Sequence, residues 1–148
     1  MTEMLIRHGE WVVICDGAKA LVLENAGDTK APNLKTREVY AQKVQPTHEL
    51  GTDAPGRSMN SNGKGRSAVE QTDWHEQAER EFLGHLAKRL DAAVSAGQVK
   101  SIIVAAPPRA LGMIRAAYTP LLRGAVRAEV DKDYVKLPVN EIEKHLAG

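Results

Sequence analysis

The stretch WVVICDGAKALVL, residues 11–23, contains two apolar runs on either side of Asp16-Gly17. The first run is continuous and rich in β-branched residues, which favour extended strands. An Asp-Gly pair between two apolar runs is typical of a tight hairpin, because glycine can supply the positive φ that such turns use. The stretch therefore predicts two antiparallel strands joined by a short turn, with Asp16 as a turn residue.

Three further segments complete the predicted sheet. Residues 37–44 (REVYAQKV) alternate well enough to predict a half-buried third strand. Residues 101–106 (SIIVAA) are apolar throughout, which is typical of a strand covered on both faces, and residues 127–130 (RAEV) predict another strand. Three antiparallel strands followed by strands that helices connect in parallel make a mixed sheet. Val104 is expected on a central strand next to Val13.

Helices are predicted between and after the later strands. Asp73 and Glu76 have the spacing of a capping box, and apolar residues then recur at helical spacing as far as Gly97, a plausible helix stop. Two shorter helices are predicted over residues 109–118 and 139–146, each after proline. The predicted order is βββαβαβα, a single α/β domain in which helices cover the sheet.

Residues 46–72 have no apolar periodicity and many small polar side chains, so they predict a long mobile loop. The glycines give the backbone wide freedom, and the cations make the loop locally basic although the whole chain carries a net charge of only +1. The loop-defining glycines are Gly56, Gly63 and Gly65, and the candidate nucleic-acid-binding cations are Arg57, Lys64 and Arg66. Phosphate groups of RNA are the ligands that such a loop would contact.

The composition indicates one domain, residues 1–148, with a sizeable core. Cys15 is the one cysteine, so no disulfide can form within the chain and a reducing compartment is expected. The N-terminal residues lack the apolar core of a signal peptide, and no apolar run approaches the roughly 20 residues of a membrane span. A cytoplasmic protein without a membrane partner is therefore expected.

Five segments, in order and spanning nearly the whole chain, are similar to the bacterial host-attachment protein family. They are HGEWVVICDGAKALVLENAGD, GTDAPGRS, RSAVEQTDWHEQAEREF, VAAPPRALGMIRAAY and DKDYVKLPVNEIEKHL. The family name describes a phenotype of attachment to host cells and no chemistry. Its members resemble bacterial homologues of the central domain of archaeal and eukaryotic peptide-release factors. The resemblance implies a ribonuclease H-like mixed sheet and a partner that is RNA or the ribosome.

A ribonuclease H-type nuclease needs acidic residues on the first strand, the first helix and the fourth strand to hold two metal ions. Asp16 follows the first strand and Glu76 or Glu79 lies on the helix. The fourth strand ends in Ala105-Ala106-Pro107 and offers no carboxylate. We therefore expect no two-metal nuclease activity, and no metal or cofactor is expected.

Release factors hydrolyse an ester with a Gly-Gly-Gln tip on the loop before their long helix. The corresponding stretch here, residues 62–69, reads NGKGRSAV and has no glutamine. Gln71 lacks the glycine context, so the resemblance does not carry the hydrolase activity over to this chain.

Three hypotheses about function follow. The first is a non-enzymatic binding domain whose basic loop contacts RNA, on the ribosome or elsewhere. The second is a hydrolase of an ester or phosphoester, acting through the loop and a cleft near Asp16 and Arg109. The third is a protein-interaction module, which can be a homo-oligomer, with a regulatory and indirect effect on attachment.

Overall fold

The computed structural model describes residues 5–42 and 64–147, with residues 64–73 and 147 described by their backbone alone. These ranges contain five strands and four helices. In chain order they are β1 (Trp11–Cys15), β2 (Lys19–Asn25), β3 (Leu34–Ala41), α1 (Lys64–Ser95), β4 (Ile102–Ala106), α2 (Pro108–Ala116), α3 (Pro120–Ala125), β5 (Val126–Asp131) and α4 (Val139–Ala147).

The strands form one sheet in the order β3-β2-β1-β4-β5. β1 pairs with β2, and β2 with β3, in antiparallel orientation. β1 also pairs with β4, and β4 with β5, in parallel orientation. Val13 lies opposite Val104 in this register, as predicted. The mixed sheet and the α/β class are thus confirmed.

Both faces of the sheet are covered, and this is why β1 and β4 are apolar along their whole length. One core cluster lies between the sheet and α1, α2 and α3, with Leu83 and Leu90 of α1 fully buried in it. The other lies between the sheet and α4, which contributes Ile142 and Leu146. A strand in the middle of two such layers has no solvent-facing side and therefore no polar alternation.

The turn between β1 and β2 is held by Asp16. Its Oδ1 atom accepts hydrogen bonds from the amides of Ala18 (2.8 Å) and Lys19 (2.9 Å), so the prediction of a turn residue is confirmed. The reason predicted for Gly17 is wrong, because its φ is not positive. A Cβ atom at Gly17 would instead lie 2.7 Å from Cγ of Glu79, so glycine is needed for the close approach of α1.

The long helix begins much earlier than predicted. α1 starts at Lys64, so residues 64–72, predicted as the end of the loop, are helical and Asp73 is not the helix cap. The physical reason is local propensity: Ala68, Glu70 and Gln71 favour a helix, and no proline interrupts this part of the chain. The rest of the predicted mobile loop lies outside the described residues.

Helix α3 is an element that the predicted order lacks. Thr119 caps it by accepting a hydrogen bond from the amide of Leu122 (3.0 Å), and Pro120 occupies its first turn. Threonine followed by proline is a helix-start signal. Because the helix has only six residues, its apolar pattern is too short to stand out in the sequence.

The predicted stop of α1 at Gly97 is confirmed. Gly97 has a φ of +81°. Its amide donates to the carbonyl of Val94 (3.0 Å), and the amide of Gln98 donates to the carbonyl of Ala93 (2.9 Å). This pair of bonds is a Schellman motif.

Replacing Gly97 with alanine is expected to lower the free energy of unfolding by about 1 kcal/mol, because an L side chain is strained at this φ. Gly84 is the matched control. It lies inside α1 with open space around it, so Gly84→Ala should raise the free energy of unfolding by about 0.5–1 kcal/mol. Urea denaturation measures both. Equal effects of the two variants would contradict the assigned helix end.

Candidate functional site

The carboxyl ends of β1 and β4 lie side by side, which is where open α/β sheets usually bind ligands. Asp16 follows β1, and Arg109 lies in the first turn of α2. The side chain of Glu79 of α1 packs over Gly17. Its Oε1 atom is 2.9 Å from Nη2 of Arg109. Of the two residues of the predicted cleft, Arg109 pairs with Glu79, and Asp16 is the chain neighbour of Gly17, over which Glu79 packs.

The chemistry available at this edge is limited because its charged groups are already in use. One oxygen of Asp16 holds the turn, and Arg109 pairs with Glu79. Asp16 lines a cavity of about 730 Å³ that opens toward the segment before α4, and Arg109 is not part of its lining. In the part of the chain that the structure describes, no three acidic, histidine or cysteine side chains are grouped to hold a metal.

Cys15, the last residue of β1, is fully buried beneath this edge. Burial, and next the charge of Asp16, raises the pKa of its thiol to about 12. The thiolate is the nucleophilic form of cysteine, so Cys15 is a core residue and not a nucleophile at neutral pH.

The predicted basic residues are divided by the start of α1. Lys64, Gly65 and Arg66 occupy the first turn of the helix, while Gly56, Arg57 and Gly63 lie outside the described residues. The first turn contains no acidic residue. Positive side chains therefore coincide with the positive end of the helix dipole.

A cluster of charged side chains covers Trp11 at the start of the central strand β1. The guanidinium of Arg37 lies 4.7 Å from the centre of the indole ring and that of Arg89 6.0 Å from it. Arg89 and the hydroxyl of Tyr40 both donate to Glu38. Burial raises the pKa of Glu38, but these hydrogen bonds outweigh it and leave the pKa below its usual value. The cluster fixes α1 against β3.

Glu10, immediately before β1, is the centre of a second polar cluster and is only 2% exposed. It accepts hydrogen bonds from the amide of Arg7, from Ser101 Oγ and from Nε and Nη2 of Arg127. Burial raises the pKa of Glu10, and the bonds from Arg127, Ser101 and Arg7 together outweigh it and lower the pKa. This carboxylate joins the N-terminal segment, β4 and β5.

Two β-bulges aim arginines at the start of β1. The register shift between Val22 and Leu23 leaves Arg37 as the extra residue of β3. The register shift between Ile102 and Ile103 leaves Arg127 as the extra residue of β5. Bulges commonly redirect a side chain in this way. Arg37 reaches Trp11 and Arg127 reaches Glu10, one from each side of the central strand.

Stability is expected to fall in acid because of these carboxylates. Glu10, Glu38 and Glu129, the last of which accepts hydrogen bonds from Arg115 and Tyr118, have pKa values lowered in the folded state. Their contribution is present above the unfolded glutamate pKa of about 4.3 and is lost as the pH falls through the lower folded pKa values. Thermal melts between neutral pH and pH about 3 should show this loss. Glu10→Gln should make the melting temperature depend less on pH. A melting profile with the same pH dependence as the wild type would contradict the role assigned to Glu10.

A family model described as "Protein required for attachment to host cells" matches residues 11–146. The chain belongs to this family. The resemblance predicted from the five sequence segments is thus confirmed, and it connects the chain with host-cell attachment. The family description names no reaction and no ligand. A comparison with curated proteins found no significant match.

None of the helices in the described ranges is long and apolar enough to cross a membrane.

The sequence did not predict the roles of three charged residues, Glu10, Arg127 and Glu129. Their partners are far apart in the chain and are brought together by bulges and strand register. The alternation of Arg127 and Glu129 with apolar residues was the available signal, and it indicated only a strand.

Proposed function

We propose that this member of the host-attachment family is a non-enzymatic binding domain that contacts RNA through the N-terminal end of α1. The observation that carries the proposal is the first turn of this helix. It contains Lys64 and Arg66 and no acidic residue, at the start of 32 consecutive helical residues.

Basic side chains at a helix start are mildly unfavourable, and a bound anion relieves this cost. The first amides of a helix have no partner within the helix, and the dipole places a partial positive charge there. Lysine and arginine in the same turn add repulsion. A phosphate group is attracted both to the positive end of the helix dipole and to the basic residues. Gly65 has no side chain that would obstruct the approach of the phosphate to the backbone.

RNA is the phosphate-bearing partner that the other features favour. The resemblance to the release-factor central domain supports a partner on the ribosome, and Arg57 adds a third cation nearby in sequence. Trp74, the eleventh residue of α1, is 40% exposed and is an aromatic side chain available for stacking on a base. We therefore propose binding with little sequence preference, in the cytoplasm, and an indirect, regulatory effect on attachment.

Changing Arg57, Lys64 and Arg66 together to glutamate is expected to abolish RNA binding, because three phosphate contacts become repulsive. Fluorescence anisotropy with a labelled single-stranded RNA at low salt measures this. The melting temperature should change little, because substitutions on the surface usually shift stability by less than about 0.5 kcal/mol each.

The matched control replaces Lys88, Lys100 and Lys132 with glutamate. These side chains are exposed and lie elsewhere on the molecule, so the control has the same net charge as the first variant. It should keep most of the RNA affinity. Equal losses in the two variants would show an effect of net charge alone, and a wild-type protein that binds no RNA at low salt would refute the proposal.

A protein-interaction module is the second candidate, and the open side of β3 favours it. In the described part of the chain β3 pairs with β2 alone, and Val39 on this strand is 55% exposed. A groove of about 510 Å³, lined by Tyr40, Phe82 and His85 among others, runs between β3 and α1. Sedimentation at increasing concentration tests the homo-oligomer: a dimer that Val39→Lys disrupts would support it, and a monomer at every concentration would not.

A further inference from the structure

A small cavity of about 270 Å³ lies between α2, α3 and β5, far in sequence from the start of α1. Its charged lining comes from all three elements. The lining includes Arg115, Arg123, Arg127, Tyr118 and Glu129. Three arginines therefore line one space together with one glutamate.

Both oxygens of the Glu129 carboxylate accept hydrogen bonds. Its Oε1 atom accepts from Nε (3.0 Å) and Nη2 (2.6 Å) of Arg115, and its Oε2 atom accepts from the hydroxyl of Tyr118 (2.8 Å). Burial, and next this hydrogen bond, raises the pKa of Tyr118, so the phenol remains a donor. Both oxygens of Glu129 therefore already have partners, in Arg115 and Tyr118.

Arg127 is held by two residues that do not line the cavity, Glu10 and Leu5. It binds Glu10 through Nε (2.7 Å) and Nη2 (2.9 Å), and Nη2 also donates to the carbonyl of Leu5 (2.7 Å). The remaining amino group, Nη1, takes part in none of these bonds. Arg127 therefore keeps a donor while its position is fixed by a buried partner.

Arg123 is the third arginine of the lining. Its guanidinium lies 5.7 Å from the centre of the Tyr118 ring, and it forms no ion pair with any side chain in the described residues. Glu10 pairs with Arg127 and Glu129 pairs with Arg115, which leaves Arg123 as the arginine of the lining without a salt-bridge partner in the described residues. Gathering like charges costs Coulomb energy that a bound anion would remove.

We propose that this cavity binds a terminal phosphate group. Guanidinium groups match the oxygens of phosphate with paired hydrogen bonds. The volume falls just below the range of about 300–1,000 Å³ typical of small-molecule pockets, so the space suits a phosphate group better than a whole nucleotide. The site is separate from the start of α1 and does not depend on the RNA contact proposed above.

Titration with inorganic phosphate, followed by the arginine Nε–H signals in NMR spectra, tests the site. Saturable shifts of Arg115, Arg123 and Arg127 are expected at millimolar phosphate. Arg123→Gln should weaken binding at least tenfold while the protein stays folded, because this arginine supports no ion pair. Lys132→Gln, which removes an exposed cation elsewhere, should leave the affinity unchanged.

Two further probes identify the source of the phosphate. An RNA with a 5′-phosphate should bind more tightly than the same RNA with a 5′-hydroxyl if the natural ligand is an RNA end, and the difference should vanish in Arg123→Gln. Equal binding of the two RNAs, with phosphate still bound, would point to a small phosphate monoester. The glutamate variant at Arg57, Lys64 and Arg66 should still bind inorganic phosphate here, so failure of either site can be recognised separately.

Three results would overturn the inference. One is the absence of saturable shifts with phosphate. Another is equal affinity for acetate, which would indicate a general anion effect. The third is phosphate binding that Arg123→Gln leaves intact.

Discussion

Replacing Val104 with aspartate is expected to prevent folding. Val104 is fully buried on β4, between Val13 of β1 and Glu129 of β5, and packs in the core cluster under α1. An ionised carboxylate at this position would have no partner and no water, and the resulting cost of more than about 4 kcal/mol is a large part of a typical domain's total stability. Circular dichroism and the yield of soluble protein measure the outcome.

Val39→Asp is the control for this experiment. It introduces the same side chain on the exposed face of β3, where Val39 is 55% accessible to solvent, and should change stability by no more than about 1 kcal/mol. A Val104→Asp protein that melts close to the wild type would show that β4 is not central and that the strand order is wrong.

Replacing Glu10 with alanine is expected to have the next largest effect on stability. The change removes the acceptor of Arg127, Ser101 and the Arg7 amide. It leaves a guanidinium whose side chain is only 29% exposed without its counter-charge. Breaking a buried ion pair by removing one partner costs about 3–5 kcal/mol, and the partial exposure of Arg127 places the expected loss toward the lower end. Urea denaturation measures it.

A double-mutant cycle separates the pair from the rest of the cluster. The double variant Glu10→Ala/Arg127→Ala should lose less stability than the sum of the losses of Glu10→Ala and Arg127→Ala, because the second removal leaves no further charge unpaired. Strictly additive losses, or a Glu10→Ala protein less than about 1 kcal/mol below wild type, would show that Glu10 does not hold the strands together.

The sheet could be predicted because its central strands obey simple local rules. β1 and β4 are short apolar runs without alternation, and a parallel pair buried on both faces is the arrangement that such runs favour. The hairpin followed from Asp16-Gly17. The predicted reason for a glycine at position 17, a positive φ, was nevertheless wrong. The close contact at Gly17 is with Glu79, more than 60 residues later in the chain.

The start of α1 and the arginine clusters could not be predicted for a different reason. Glycines and serines around residues 56–67 are typical of a loop, and no local signal in the sequence marks the residue at which α1 begins. Arg37 and Arg127 gain their roles from β-bulges, whose positions depend on neighbouring strands. The cavity at Arg123 exists only because α2, α3 and β5 meet.

The salt dependence of RNA binding tests the central claim most directly. If Arg57, Lys64 and Arg66 each contact one phosphate of a single strand, a plot of log affinity against log salt should have a slope of about −2, at −0.7 per contact. Removing Arg57 alone, as Arg57→Gln, should reduce the slope by about 0.7. A slope near zero for the wild type, or a slope that Arg57→Gln leaves unchanged, would contradict an RNA-binding site at the start of α1.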